Sequence, residues 1–323
     1  MSPGALGPST GPVPTTPVVW DGASPFEVQG HRGARGLRPE NTLSGIACAL
    51  EVGVASIECD VVLSADGVVV LNHDGVLPAP AGTTSSQAVG ELPLSRLREV
   101  DLGGPPAAGD DAAFCGVPQR MTTLGGALAL LELFGAHEVR LDIEIKSARH
   151  SDLLWNASCV VGLVVQEVRA HGAVGRCGLR SFDLHVLEES RRRCPELART
   201  LLVGTVADRV PEALAMPADV SVEAVLAMAA SVHAVALAPG RSLLSKELVE
   251  GAHAQQLPVI PWTVNDPAQV RSLVAMGVDG ICTDRPDLVR AELAAAGVRL
   301  PARHRAPDWL GWGWQRWPEA AGP

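Results

Sequence analysis

The stretch from Gly30 to Asp74 decides how the rest of this chain is read. It opens on Gly30-His31-Arg32-Gly33, passes through Pro39-Glu40-Asn41-Thr42 and Ile57-Glu58-Cys59-Asp60, and closes on Leu71-Asn72-His73-Asp74. Two periodicities separate these polar motifs. Asn41 to Val52 places Leu43, Ile46, Ala47 and Leu50 at helical spacing and stops at Gly53, which predicts a helix. Phe26 to His31 and Ser56 to Leu63 read as strands. Ser64-Ala65-Asp66-Gly67 is a turn signal that returns Val68 to Asn72 as the second arm of a hairpin. Two histidines, two carboxylates two positions apart and an arginine thus gather at or near strand ends. That is the inventory of a metal-assisted hydrolytic site.

Downstream, the alternation repeats. Strands are predicted over residues 139–146, 177–182, 198–203, 234–238, 258–264 and 279–283. Helices are predicted over residues 124–134, 153–172, 184–193, 221–230, 246–256, 267–276 and 287–296. With the first two strands this makes eight, the hairpin arm aside. The pattern is α/β, that of a parallel (β/α)8 TIM barrel. Such a barrel needs about 250 residues, and a chain of 323 accommodates it over residues 26–300. Residues 1–25, rich in Pro, Gly, Ser and Thr, are expected to form a disordered leader. Residues 75–120 break the rhythm with prolines and glycines and are expected to form an irregular insertion after strand two, either a lid or a plain excursion. Residues 301–323 form a tail with Trp309, Trp312, Trp314 and Trp317. Packing against the barrel or a subunit partner is its simplest reading, and leaves room for a homo-oligomer.

A net charge of −10 argues against a general nucleic-acid binder, which needs clustered Lys and Arg. It does not argue against a small anionic substrate at a locally positive site. The seven cysteines are scattered singly with no C-x-x-C pair, against a disulfide framework or a zinc ribbon, which points to a reducing compartment. No run approaches the roughly 20 apolar residues of a membrane helix, and prolines interrupt every candidate signal core. A soluble, cytoplasmic chain without stable membrane insertion is expected.

Active sites of this barrel lie at the C-terminal ends of the strands. There the sequence puts His31, Glu58, Asp60, His73, Glu144, Lys146, Phe182, Trp262 and Asp284. Strand alternation gives Glu58 and Asp60 one face, and Asp142, Glu144 and Lys146 another shared face, with Ile57, Cys59, Val61, Ile143 and Ile145 turned toward the helices. Ionised carboxylates in a barrel mouth are costly unless compensated. Glu58, Asp60 and Glu144 offer an all-oxygen site for one divalent metal ion, Mg²⁺ or Ca²⁺. The alternative is a salt-bridge set with Arg32 and Lys146. Two histidines beside such a cluster suggest an acid/base pair for in-line displacement at phosphorus, with Arg32 and Lys146 adding positive charge. Phe182 and Trp262 read either as substrate contacts or as packing of the mouth.

These motifs, with Ile143-Glu144-Ile145-Lys146, Ser181-Phe182, Trp262-Thr263-Val264-Asn265 and Gly280-Ile281-Cys282-Thr283-Asp284-Arg285-Pro286, resemble those of the glycerophosphodiester phosphodiesterases from about Phe26 to Ala296. The resemblance implies metal-dependent hydrolysis of glycerophosphodiesters to an alcohol and sn-glycerol 3-phosphate. By motif, His31 and His73 would be the acid/base pair, Glu58, Asp60 and Glu144 would bind the metal, and Arg32 and Lys146 would contact phosphate. The segment from Gly75 to Arg120 would cap the glycerol end of the site. Gly125-Gly126 stands where relatives commonly carry a glutamate pair, and the chain has no tyrosine for substrate contact. Related scaffolds support two other readings. One is a phospholipase D-type enzyme that makes cyclic phosphates from lysolipids or sphingomyelin. The other is a non-catalytic phosphodiester-binding protein.

Overall fold

The computed structural model describes residues 19–77, 86–103, 118–146 and 156–307. Its strands are β1 (Glu27–Gly30), β2 (Ser56–Leu63), β3 (Val69–Leu71), β4 (Arg140–Ile145), β5 (Cys177–Ser181), β6 (Ala198–Val203), β7 (Ala236–Pro239) and β8 (Gly280–Thr283). All but β3 run parallel, in the order β7-β6-β5-β4-β2-β1-β8. The expected strand over residues 258–264 is not a regular ladder, because Pro258 and Pro261 have no N–H to give. Its other groups still bond on both sides. Ile260 N donates to Leu237 O (2.9 Å) and Trp262 N to Pro239 O (3.1 Å). Asp279 N donates to Val259 O and Cys282 N to Pro261 O, both at 3.0 Å. This segment joins β7 to β8 and closes the barrel.

The helices are α1 (Leu43–Val52), α2 (Leu94–Leu97, a single turn), α3 (Leu124–Leu133), α4 (Ala157–Ala170), α5 (Leu184–Arg193), α6 (Val222–Ser231), α7 (Lys246–Ala254), α8 (Pro267–Met276) and α9 (Pro286–Ala295). Thr42, Thr123, Asn156, Asp183, Ser221, Ser245 and Asp266 each accept an N–H of the first turn, which fixes where seven of these helices begin. The cap at Asn156 starts α4 later than apolar spacing suggested; residues 147–155 lie outside the described residues.

Alternation decides which side chains meet the helices. Ile57, Cys59, Val61, Ile143 and Ile145 are all buried in the apolar core between strands and helices. Their neighbours point inward, and one half of the barrel interior is polar: Gln29, Ser56, Glu58, Asp142 and Arg180 are all buried there. Gln29 donates to Ser56 Oγ (3.0 Å) and Asp142 Oδ2 (2.6 Å), and Arg140 pairs with Glu27. Hydrogen bonding and pairing among these groups offset the cost of taking them out of water.

Two segments are more ordered than composition suggests. Trp20 stacks edge-on against Phe26 at 5.2 Å, and its N–H donates to Asp279 Oδ1 (2.6 Å), so residues 19–25 are tied to the barrel. Residues 1–18 of the expected leader, and the four tail tryptophans, lie outside the described residues. In the insertion, Val89 and Leu97 join Val62, Val70, Leu77 and Met121 in a second apolar cluster on the hairpin. Leu94 N donates to Asp66 Oδ1 (3.0 Å) and Ala65 N to Leu92 O (2.9 Å), which pins this part of the insertion to the hairpin turn.

Candidate active site

The mouth is built first by the turn after β1. Arg32 (φ +51°) and Gly33 (φ +87°) are both left-handed, and a Cβ on Gly33 would lie 2.6 Å from the carbonyl carbon of Gly45. Only glycine fits there. The turn aims the Arg32 N–H at Glu58 Oε2 (2.9 Å). Asn41, also left-handed at φ +55°, is buried and clasps Asp60: its Nδ2 donates to Asp60 Oδ2 (2.9 Å) and its Oδ1 accepts the Asp60 N–H (3.1 Å). The hairpin brings in the second histidine, because β3 pairs antiparallel with β2 and Asn72 N donates to Asp60 O (3.0 Å).

Parallel register then sets Asp60 beside Glu144 and Glu58 beside Asp142. Glu58, Asp60 and Glu144 each turn one oxygen to a common point, the three lying within 4.8 Å of one another, and all three residues are buried. Glu58 Oε1 is buried with no hydrogen-bond partner. Burial, with Asp60 and Glu144 nearby, pushes the Glu58 carboxyl up to about 8. Burial works in the same direction on Asp60 but is outweighed by Lys146, Arg32 and His73, which hold it well below the usual carboxylate range. An orphaned carboxylate oxygen among three buried oxygen donors fits a hard divalent cation.

Arg32 and Lys146 are paired with carboxylates. Arg32 Nη1 donates to Glu40 Oε1 (2.9 Å), and its Nε lies 3.3 Å from Asp60 Oδ2. Lys146 Nζ lies 2.8 Å from Asp60 Oδ1 and also bonds Glu144. The salt-bridge set and the three-carboxylate cluster, alternatives in the sequence, are here parts of one arrangement.

The histidines share a design. His31 Nδ1 bonds Asp284 Oδ1 (2.5 Å) and its Nε2 lies 3.9 Å from Glu58 Oε2; His73 Nδ1 bonds Asp74 Oδ1 (2.6 Å). Each ring is oriented through one nitrogen, which leaves Nε2 for chemistry. Burial lowers the His31 ring below its ordinary value, against the pull of Asp284. Asn265 Nδ2 donates to the other Asp284 oxygen (2.7 Å) and fixes that carboxylate in turn.

Opposite this polar half, Phe182 and Trp262 meet edge to face with centroids 5.5 Å apart, and Trp262 Nε1 donates to Ala238 O (2.8 Å). Both are half-buried. Mouth packing is therefore real, and one ring face of each remains a candidate substrate contact. The Gly125-Gly126 departure lies elsewhere: a Cβ on Gly125 would meet Glu167 of α4 at 2.3 Å, so that turn is shaped by contact between α3 and α4.

The sequence pattern of the Glycerophosphoryl diester phosphodiesterase family matches residues 31–288. The chain belongs to that family. As a glycerophosphoryl diester phosphodiesterase family member it is a phosphoric diester hydrolase. A glycerophosphodiester phosphodiesterase of Caldanaerobacter subterraneus subsp. tengcongensis is 28% identical over 261 residues, 80% of this chain and 93% of that one. A solved structure assigned to the same family, from Silicibacter pomeroyi, superposes with a TM-score of 0.74 at 31% identity, covering 86% of this chain and 96% of the other. A phosphodiesterase from Oleispira antarctica, solved in complex with the product sn-glycerol-3-phosphate, shares the fold at a TM-score of 0.66 and 23% identity, over 83% and 96% of the two chains.

Sequence reasoning overlooked four residues here. Asn41 was read only as part of a motif and a helix start. Asp74 and Asp284 were seen at strand ends but not as partners of the histidines. Arg180 was missed altogether. The one signal for it was parity: it is two residues before Phe182 on β5 and so faces inward.

Proposed function

We propose that this chain hydrolyses glycerophosphodiesters, of the deacylated phospholipid headgroup class, to an alcohol and sn-glycerol 3-phosphate, using one Mg²⁺ or Ca²⁺ ion held by Glu58, Asp60 and Glu144. The observation that carries the reading is the pair of carboxylate-oriented histidines beside a buried three-carboxylate cluster with an orphaned oxygen. When bound, the cation supplies positive charge to the phosphate oxygens.

The residues divide the remaining work. His31, kept neutral by burial, has Nδ1–H committed to Asp284 and a lone pair on Nε2, so it takes the proton of the attacking water. His73, nearer solvent and held by Asp74, gives a proton to the departing alkoxide oxygen. The new phosphorus–oxygen bond forms as the bond to the alcohol breaks. Arg32 and Lys146 hold Asp60 and Glu144 in place and stand ready to meet the phosphate oxygens. Phe182 and Trp262 offer apolar surface to the substrate's carbon chain; the expected cap over residues 75–120 falls in part outside the described residues. Among the described residues no helix is long and apolar enough to cross a membrane.

The test is release of glycerol 3-phosphate from glycerophosphocholine and glycerophosphoethanolamine, before and after treatment with EDTA. Loss with EDTA, recovery with Mg²⁺ or Ca²⁺, and loss in His31→Ala and Glu58→Ala are expected. Undiminished turnover in either variant would overturn the assignment. Phosphorus NMR of the product reads out water attack directly, because a cyclic phosphate resonance would instead mean attack by a substrate hydroxyl.

A further inference from the structure

Arg180 is a buried cation that the mechanism above does not use. It is 3% exposed, next to the C-terminal end of β5, where the register places it directly beside Glu144. Of its five N–H donors, the structure shows one spent: Nη1 donates to Gln29 Oε1 (2.5 Å). Nε is buried without a partner. Gln29 is itself held by Ser56 and Asp142, so the guanidinium is anchored from below by a chain of hydrogen bonds through the barrel interior. Glu144 is its neighbour across the ladder, and the charges of Glu58 and Glu144 both act on it. Glu58 has its own buried, unpartnered oxygen on the same floor. A buried guanidinium whose Nε donor is unspent is poorly explained as a mere structural tie, because leaving a donor unmade in the interior is costly.

We infer that Arg180 is a positioning residue that sets the charge of the metal floor to match the transition state of phosphodiester hydrolysis in place of the resting diester. Three carboxylates face three permanent cations: Lys146 and Arg32 on Asp60 and Glu144, and Arg180 beneath Glu58 and Glu144. Each fixed cation offsets part of the carboxylate charge, so a divalent ion bound there leaves the site more positive than it would be without Arg180. A resting diester carries one negative charge. As the attacking oxygen gives up its proton to His31, which keeps that positive charge on its ring, the phosphoryl group takes on a second negative charge beside this floor. Without Arg180 the loaded site would present one fixed positive charge fewer to that second negative charge. Catalysis depends on that difference. The same fixed charge repels the metal, so Arg180 weakens cation binding while speeding turnover.

This opposition in sign is what a structural role cannot produce. The inference rests on the metal-dependent reading above, and wild-type protein stripped with EDTA tests that reading first, by titration calorimetry with Mg²⁺ and Ca²⁺ at pH 8.5. If wild type binds neither ion, the metal reading fails. If it binds, Arg180→Met is expected to bind the ion about tenfold more tightly while kcat falls on the order of 10², with KM little changed. Arg180→Lys, which keeps the charge, is expected to restore both values to near wild type, and it serves as the test should Arg180→Met fail to fold. Weaker metal binding in Arg180→Met, unchanged kcat, or an Arg180→Lys protein that loses activity despite a normal fold would each overturn the inference.

Discussion

Removing the Asn41 side chain tests whether the clasp on Asp60 organises the site. In Asn41→Gly the backbone keeps its left-handed conformation at no steric cost. The variant loses the bond from Nδ2 to Asp60 Oδ2, and it leaves the Asp60 N–H without its acceptor. A hydrogen bond to a charged group contributes about 1.5–3 kcal/mol, and an orphaned buried donor costs about 1–3 kcal/mol, so a combined loss of roughly 3 kcal/mol is expected. For a domain of this size that is a fall in Tm of roughly 6–12 °C. Asn41→Ala suffers the same loss and adds about 1–2 kcal/mol for a Cβ at positive φ. Metal affinity should fall by about 10–100-fold in both, since the clasp orients a ligand carboxylate. Melting curves and calorimetric titration of the three proteins measure all of this. An Asn41→Gly protein that melts with wild type and binds metal as tightly would refute the reasoning. So would an Asn41→Ala protein more stable than Asn41→Gly.

Three further outcomes follow from the same geometry. In Asp284→Asn the His31 ring loses the carboxylate that fixes its tautomer and raises its proton affinity, so kcat should fall by about 10²–10⁴ and the acid limb of kcat/KM should move to lower pH, measured across a pH–rate profile. The Glu58 carboxyl, raised to about 8 in the fold against an ordinary 4.5, binds more protons folded than unfolded between those values. Metal-free stability should therefore fall as pH rises from about 4.5 to 8, at up to about 1.4 kcal/mol per unit. Because the cation replaces that proton, stabilisation by added Mg²⁺ or Ca²⁺ should grow over the same window, and an equal Tm gain at pH 6 and pH 8 would count against it. Gly33→Ala forces a Cβ to 2.6 Å from the Gly45 carbonyl carbon at φ +87°, so it should unseat the Arg32 N–H from Glu58 and lower both Tm and activity, the latter shown by the phosphodiesterase assay.

By itself the sequence determined the barrel and the parity of its strands, and it placed three carboxylates and two histidines at or near strand ends, because each of these is local. Period-2 alternation assigns a face without knowing the neighbour, and Glu58 and Asp60 share theirs whatever lies beside them. The hairpin was legible for the same reason, in one turn signal between two apolar runs. Composition failed where order depends on a distant surface: the insertion's apolar residues are sparse, yet they pack on Val62 and Val70 of the hairpin, and Trp20 is held by Asp279 at the far end of the chain.

Only the tertiary structure decided who partners whom. Register, not sequence, sets Asp60 beside Glu144 and Glu144 beside Arg180, residues far apart along the chain. The closing turn of β8 puts Asp284 against His31, and the left-handed turn after β1 swings Asn41 onto Asp60. The Gly30–Asp74 stretch carries both histidines and two of the three carboxylates, yet Glu58 and Asp60 reach their final proton affinities only once the barrel closes. Burial and neighbouring charge raise Glu58 and lower Asp60, two positions apart on one strand, and both causes exist only in the fold.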